Sequence, residues 1–229
     1  MPDNRKIADD RTKELDRLCC FLDPQVAKVI LSEDSARLLA PHEREITVVF
    51  VDLRNFTSYV DSHTPEQVFQ LVGELYEVIG PVVSKHGGTV ERFTGDGIMA
   101  FFGDPISTPD HALRAVHMAI ETRQSVEALE ASWRQAGYDG GLGIGIATGM
   151  AALGAIGFDG RYDYAALGAP TSLAARLCSE ASVDQILVGP CTAARVDGEI
   201  DLEGRGTVQL KGFRQVLELY EVPQGATAT

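Results

Sequence analysis

The sequence is poor in residues that mark several functional classes. It has four cysteines, Cys19, Cys20, Cys178 and Cys191, and none forms a C-x-x-C pair. That argues against a disulfide framework and for free thiols in a reducing cytosol. The five histidines, His42, His63, His86, His111 and His117, show no ligand spacing. Basic residues are outnumbered 20 to 33 by acidic ones, giving a formal net charge of −13. A surface of that sign repels nucleic acid and anionic lipid, although it does not forbid a small basic pocket for phosphates. The opening MPDNRKIADD is polar and lacks the apolar core of a signal peptide.

Only one long uncharged run exists, GGLGIGIATGMAALGAIGF at 140–158. It approaches membrane-span length, but it contains seven glycines and has no basic flank. It reads as two short buried strands in a hairpin that turns at Thr148-Gly149. No membrane insertion is expected.

The 229 residues suffice for one full domain plus an extra element. Residues 1–43 form an arm. Within it 1–12 read as loosely attached, and Leu15, Leu18, Cys19 and Leu22 recur at helical spacing. Asp23-Pro24 then caps a second helix, whose apolar face is Val26, Val29 and Ile30. The main domain spans 44–222, and 223–229 read as a disordered tail.

Within the domain, ITVVFVDL at 46–53 is a buried strand. Thr64-Pro65-Glu66-Gln67 has capping-box spacing and opens a helix. Two strands, 89–93 and 98–102, flank Thr94-Gly95-Asp96-Gly97, a hairpin signal. A long helix covers about 109–136, a shorter one 170–180, and short strands follow at 186–188, 207–210 and 217–222. The order strand, helix, strand, strand, helix, strand is that of an α/β (α+β) ferredoxin-like βαββαβ core with extra C-terminal strands.

In such a sheet the first strand neighbours the hairpin, so Asp52 and Asp96 meet. Two buried carboxylates are costly unless a positive charge lies between them. No lysine or arginine obviously pairs with them, so a divalent cation is the simplest answer. All-oxygen ligands favour Mg²⁺ or Mn²⁺ over Zn²⁺. Gly95 and Gly97 clear side chains from around Asp96. The turn after Asp52, which runs through Phe56 and Thr57, presents backbone N–H groups suited to a phosphate chain.

Phe50-Val51-Asp52-Leu53-Arg54-Asn55-Phe56-Thr57 and Phe93-Thr94-Gly95-Asp96-Gly97-Ile98-Met99-Ala100-Phe101-Phe102-Gly103 resemble the metal motifs of the class III adenylyl and guanylyl cyclases. Gly145-Ile146-Ala147-Thr148-Gly149, Tyr164-Ala165-Ala166-Leu167-Gly168, Ala174-Ala175-Arg176-Leu177 and Leu210-Lys211-Gly212-Phe213 continue in that family's order. Phe21-Leu22-Asp23-Pro24-Gln25-Val26-Ala27 resembles the short helix before bacterial catalytic domains, where a sensor often lies upstream. The resemblance implies a cyclase homology domain that works as a cytoplasmic head-to-tail homodimer with active sites at its interface. It implies that the ribose 3′-hydroxyl attacks the α-phosphate of a nucleoside triphosphate and pyrophosphate leaves, with two Mg²⁺ or Mn²⁺ per site. Asp52 and Asp96 match the metal aspartates. Arg176 matches an arginine, supplied by the partner subunit, that stabilises transition-state charge. Lys211 matches a lysine near the terminal phosphates or is a surface lysine in a turn.

Three positions depart from that pattern. Arg92 replaces the lysine that reads adenine, Ala165 replaces its aspartate or threonine partner, and Ser172 replaces the asparagine that orients the ribose. Arg92 can donate to adenine N1 or to guanine O6, so ATP is the first substrate expected and GTP the second. Ser172 and Arg176 share a helix face at i, i+4. A competing reading keeps the metal pair but loses turnover, leaving a nucleotide-binding dimerisation module that regulates a partner. Diguanylate cyclases share the fold, but their G-G-D/E-E-F hairpin is absent.

Overall fold

The computed structural model describes residues 19–33 and 35–228. The loosely attached start at 1–12 and most of the helical spacing at 14–22 lie outside them. The strands are β1 (His42–Leu53), β2 (Thr89–Phe93), β3 (Gly97–Phe102), β4 (Leu142–Phe158), β5 (Arg161–Leu167), β6 (Gln185–Val188), β7 (Glu203–Val208) and β8 (Leu217–Glu221). The helices are α1 (Pro24–Ile30), α2 (Ser35–Leu39), α3 (Phe56–Ser62), α4 (Pro65–Lys85), α5 (His111–Gln135), α6 (Ala169–Glu180) and α7 (Pro190–Arg195).

The strands form one eight-stranded sheet ordered β2-β3-β1-β4-β6-β8-β7, with β5 paired to β4 off that path. Its β2-β3-β1-β4 half is antiparallel throughout, with α4 and α5 as the connections, which is the expected ferredoxin-like core. The extra strands follow through β6, which lies parallel to β4.

Alternation along β1 decides the two cores. Val49, Val51 and Leu53 pack with Leu75 and Ile79 of α4 and Val116 and Ile120 of α5. Ile46 and Val48 face the other way, against Met99, Phe101, Ala174, Leu177 and Val26. Each fully buried valine, leucine, isoleucine, methionine or phenylalanine among them contributes about 1.5–3 kcal/mol. Helix α4 starts as its sequence predicts: Gln67 N–H donates to Thr64 Oγ1 (3.4 Å) and Thr64 N–H donates to Gln67 Oε1 (2.9 Å). It continues through Pro81 to Lys85.

The run at 140–158 corrects the sequence reading. It is not a hairpin but a single 17-residue strand, β4. Thr148 and Gly149 sit opposite Thr47 and Ile46 in the ladder with β1. The Thr148 hydroxyl, which would favour a turn, is instead satisfied by the hydroxyls of Thr47 and Thr192, both at 2.8 Å. Tertiary pairing therefore overrides the local signal. The chain actually turns at Asp159-Gly160, with Gly160 at φ 101°.

Two terminal segments are seated on the domain. Asp23 Oδ1 accepts Gln25 N–H at 2.8 Å, capping α1, and Oδ2 accepts Val90 N–H of β2 at 2.9 Å. Gln25 Nε2 donates to the Gly88 carbonyl at 2.8 Å. At the other end, the guanidinium of Arg123 donates to the carbonyls of Val222, Pro223 and Gln224. The segment expected to fray is thus tethered at its start by a buried arginine. Among the described residues, no helix is long and apolar enough to cross a membrane.

Candidate functional site

Asp52 is the second-last residue of β1, opposite Gly97 of β3 and Gly143 of β4. The hairpin from β2 to β3 is tied to that end by its backbone: Leu53 N–H donates to the Asp96 carbonyl at 3.0 Å. Tyr76 of α4 braces the hairpin from outside, its hydroxyl donating to the carbonyls of Gly95 (2.9 Å) and Gly97 (3.1 Å). Gly97 has to be glycine, since a Cβ there would lie 2.1 Å from the Val51 carbonyl oxygen and 2.9 Å from Asp52 Oδ1.

The two carboxyls meet. Asp52 has its pKa pushed up to about 6, first by burial and then by the negative charge of Asp96, with a hydrogen bond between the two carboxyls adding to the rise. Arg54 pulls the other way, its Nη2 lying 3.3 Å from Asp52 Oδ2. The expectation that no cation pairs with the aspartates is therefore corrected. Positions i and i+2 on an extended chain share a side, and that spacing was legible in Asp52 and Arg54.

A crowded carboxylate pair with oxygen donors only suits a hard cation such as Mg²⁺ or Mn²⁺. Among the described residues no group of three or more His, Cys, Asp or Glu side chains could hold a metal. Such a cation would take its remaining ligands from water, backbone carbonyls and phosphate oxygens, as Mg²⁺ sites usually have them.

Beyond Asp52 the chain turns through Asn55, held at φ 65° and ψ 13°, a left-handed geometry that asparagine tolerates. Its Nδ2 donates to the Asp139 carbonyl at 3.1 Å. Phe56 then packs on the core, whereas Thr57 is exposed at the start of α3.

Arg92 is exposed on β2, and its guanidinium is bound by Glu91, whose side chain is only 2% exposed. Glu91 also accepts the Ala166 N–H of β5 at 3.0 Å. That link brings Arg92 and buried Ala165 into one neighbourhood. Glu91 is a site residue that sequence reasoning missed. It occupies the register shift between Val90 and Arg92 in the β2–β3 ladder, and a bulge of this kind has no signature in the sequence.

Ser172 and Arg176 lie on the exposed face of α6. The opposite face packs on the sheet so closely that a Cβ on Gly145 would stand 2.2 Å from the Ala174 carbonyl oxygen. No described residue pairs with the Arg176 guanidinium. Lys211 is exposed in the turn between β7 and β8. Its distance from Asp52 follows from register. Glu221 of β8 pairs with Leu187, level with Gly145 and Phe50, so Leu217 lies level with Ile46. Six residues of strand, roughly 20 Å, separate that level from Asp52, and Lys211 lies beyond it. One copy therefore brings together Asp52, Asp96, Phe56 and Thr57, and gathers Arg92 with Ala165. It leaves Ser172 and Arg176 facing outward and Lys211 at the far end of the sheet.

Residues 38–224 match the family model described as "Adenylate and Guanylate cyclase catalytic domain". The chain is 28% identical over 186 residues to Adenylate cyclase 1 of Rhizobium meliloti, covering 80% of this chain and 28% of that protein. Among solved structures, the adenylyl cyclase CyaB of P. aeruginosa superposes with a TM-score of 0.80 at 30% identity, over 83% of this chain and all of that one. The guanylyl cyclase Cya2 superposes with a TM-score of 0.76 at 31% identity, over 82% of this chain and 98% of that one. The chain spans between 24% and 32% of the length of the first curated relatives it matches.

Proposed function

Because this chain belongs to the adenylate and guanylate cyclase catalytic domain family, we propose that it converts a nucleoside triphosphate, ATP in first place, to a 3′,5′-cyclic nucleotide and pyrophosphate for cytoplasmic signalling. The meeting of Asp52 and Asp96 at the hairpin carries the reading. Their carboxylates are the ligands assigned to two Mg²⁺ or Mn²⁺. When bound, the cations supply an activated 3′-oxygen and charge neutralisation on the leaving pyrophosphate.

The chain's own groups take the remaining roles. Phe56 and Thr57 begin α3 directly after the turn at Asn55, and the backbone N–H groups of this bend face the phosphates. Arg92, steadied by Glu91, donates to the base at adenine N1 or guanine O6. Ala165 offers the base no hydrogen bond, which is why GTP is the alternative substrate. Arg176 and Lys211 act on the nucleotide held by a second copy, since Arg176 is on the outward face of α6 without a described partner and Lys211 lies at the end of the sheet away from Asp52. Arg176 stabilises charge on the reacting phosphate, and Lys211 binds the terminal ones. Ser172, one turn before Arg176, orients the ribose through water. The site is thus complete only in a head-to-tail homodimer. A sensor upstream belongs to the same reading, because Asp23 and Gln25 seat the arm on β2, whose hairpin carries Asp96.

A second reading, a dimerising nucleotide-binding module without turnover, draws on the exposed serine at 172 and the apolar side chain at 165. Chromatography of products after incubation with Mn²⁺ and either ATP or GTP separates the two. A cyclic nucleotide from either supports the cyclase, and none from both leaves the module.

A further inference from the structure

Arg54 is held beside Asp52 from every side. Its N–H donates to the Gly141 carbonyl at 2.8 Å, and its own carbonyl accepts the Tyr138 hydroxyl at 2.6 Å. The side chain is 18% exposed and runs back over β4. The space it fills exists because position 143 is glycine: a Cβ there would lie 2.3 Å from Arg54 Nε and 2.4 Å from Nη2. Cys178 of α6 closes the slot, with Sγ 3.5 Å from Nη2 and itself donating to the Gly143 carbonyl at 3.2 Å. A guanidinium so enclosed has little freedom to swing away from Asp52 Oδ2, 3.3 Å distant.

Its hydrogen bonding is sparse for so confined a group. Nε is buried without any partner, and its contact with Asp52 is single and long, not the paired fork that arginine makes with a carboxylate at its best. A side chain kept for its hydrogen bonds would use its donors. What this geometry secures is a fixed positive charge at the carboxylate pair.

We infer that Arg54 is a built-in countercharge to Asp52 and Asp96 that weakens their hold on a free divalent cation and makes tight metal binding depend on the triphosphate arriving with it. The inference rests on the metal assignment to these two aspartates. Two carboxylates and a dication sum to zero, and the adjacent guanidinium leaves a net positive site that a lone cation completes poorly. A metal–triphosphate complex is anionic, so the same charge attracts it. Arg54 would thus select for the loaded nucleotide over free metal.

The test is a Mn²⁺ titration of the full chain without nucleotide, followed by the electron paramagnetic resonance of free Mn²⁺. Wild type is compared with Arg54→Met, Arg54→Gln, Arg54→Lys and Asp96→Asn, each checked for folding by circular dichroism. Removing the charge in Arg54→Met or Arg54→Gln is expected to tighten Mn²⁺ binding about tenfold, equivalent to about 1.4 kcal/mol, while Arg54→Lys stays near wild type. With α,β-methylene ATP present, the gain is expected to shrink below about threefold. Unchanged or weaker binding in both neutral variants overturns the inference, as does tightening in Arg54→Lys equal to theirs. If Asp96→Asn binds Mn²⁺ as wild type does, the metal assignment itself fails, a result the Arg54 variants alone would not produce.

Discussion

Glu91 accepts the backbone N–H of Ala166 at 3.0 Å, tying the strand that bears Arg92 to the strand that bears Ala165. Burial is the main influence on the Glu91 carboxyl and raises its pKa, against the pull of Arg92 and the Ala166 N–H. Truncation to alanine leaves that N–H without its acceptor and frees Arg92. Glu91→Ala is expected to lose about 1–3 kcal/mol of stability, read from the urea midpoint, and to shift the ratio of ATP to GTP turnover. Glu91→Gln keeps an acceptor oxygen and should lose less. An alanine variant as stable as wild type would show that the tie between β2 and β5 carries no weight.

A pH dependence follows from His111. It is buried, with Nδ1 2.8 Å from the Thr47 hydroxyl, and burial is the chief reason that its pKa falls below the ordinary 6.5. Glu45, Asp110 and Arg195 also face it: the two carboxylates pull its pKa up, and Arg195 pushes it down. The unfolded chain thus takes up this proton more readily than the folded one. The stability His111 contributes is full above 6.5 and is lost as the pH falls below it. His42 acts oppositely. Burial is the largest single effect and lowers its pKa, but the hydrogen bond to Asp104, the Ala40 carbonyl and the Asp104 charge together outweigh burial and the Arg44 charge and raise it, so its contribution is present below 6.5 and lost above. Thermal midpoints of wild type and His111→Gln between pH 7.5 and 5 (chosen to bracket that value) isolate the His111 part. A shallower acid slope is expected in the variant, and an identical slope would contradict the assignment.

Ser172 concerns rate. It lies one turn before Arg176 on the exposed face of α6, where an asparagine would reach a ribose directly. Misplacing a reacting group by about 1 Å costs on the order of a hundredfold. Ser172→Asn is therefore expected to raise kcat by about tenfold, with little change in KM, because the gain is orientation and not ground-state binding. A lower kcat would mean that the pocket is built around serine and Arg92.

The parts of the fold that were legible in the sequence were those set by local chemistry. Thr64 and Gln67 carry the box that starts α4, and Thr94-Gly95-Asp96-Gly97 carries the hairpin that places Asp96. The apolar, β-branched run at 46–53 carries the buried strand β1. The long β4 was hidden because Thr148-Gly149 is turn-prone alone, and only its partners Thr47, Ile46 and Thr192 make it a strand interior. Arg54 and Glu91 escaped for different reasons. The first stands two residues from Asp52, but only the fold turns its side chain back over Gly143 to the carboxylate, and the second depends on a bulge that appears only in the ladder. The departures at Arg92, Ala165 and Ser172 were readable as residues. Their consequences depend on geometry, above all on Glu91 engaging Arg92.

The claim that the active site is shared between two copies meets its most direct test in mixing. Asp96→Ala removes a carboxylate proposed to hold metal while leaving the backbone carbonyl that accepts Leu53 N–H, so its fold should stand. Arg176→Ala removes an exposed side chain from the outer face of α6. Each variant alone is expected to form no cyclic nucleotide above about one-hundredth of the wild-type rate. After subunit exchange, an equimolar mixture is expected to recover about a quarter of it, because half of the dimers are mixed and each holds one intact site. A mixture as inactive as its components, with exchange verified by differently tagged subunits, would contradict an interfacial site, and wild-type turnover by Asp96→Ala would contradict the metal assignment.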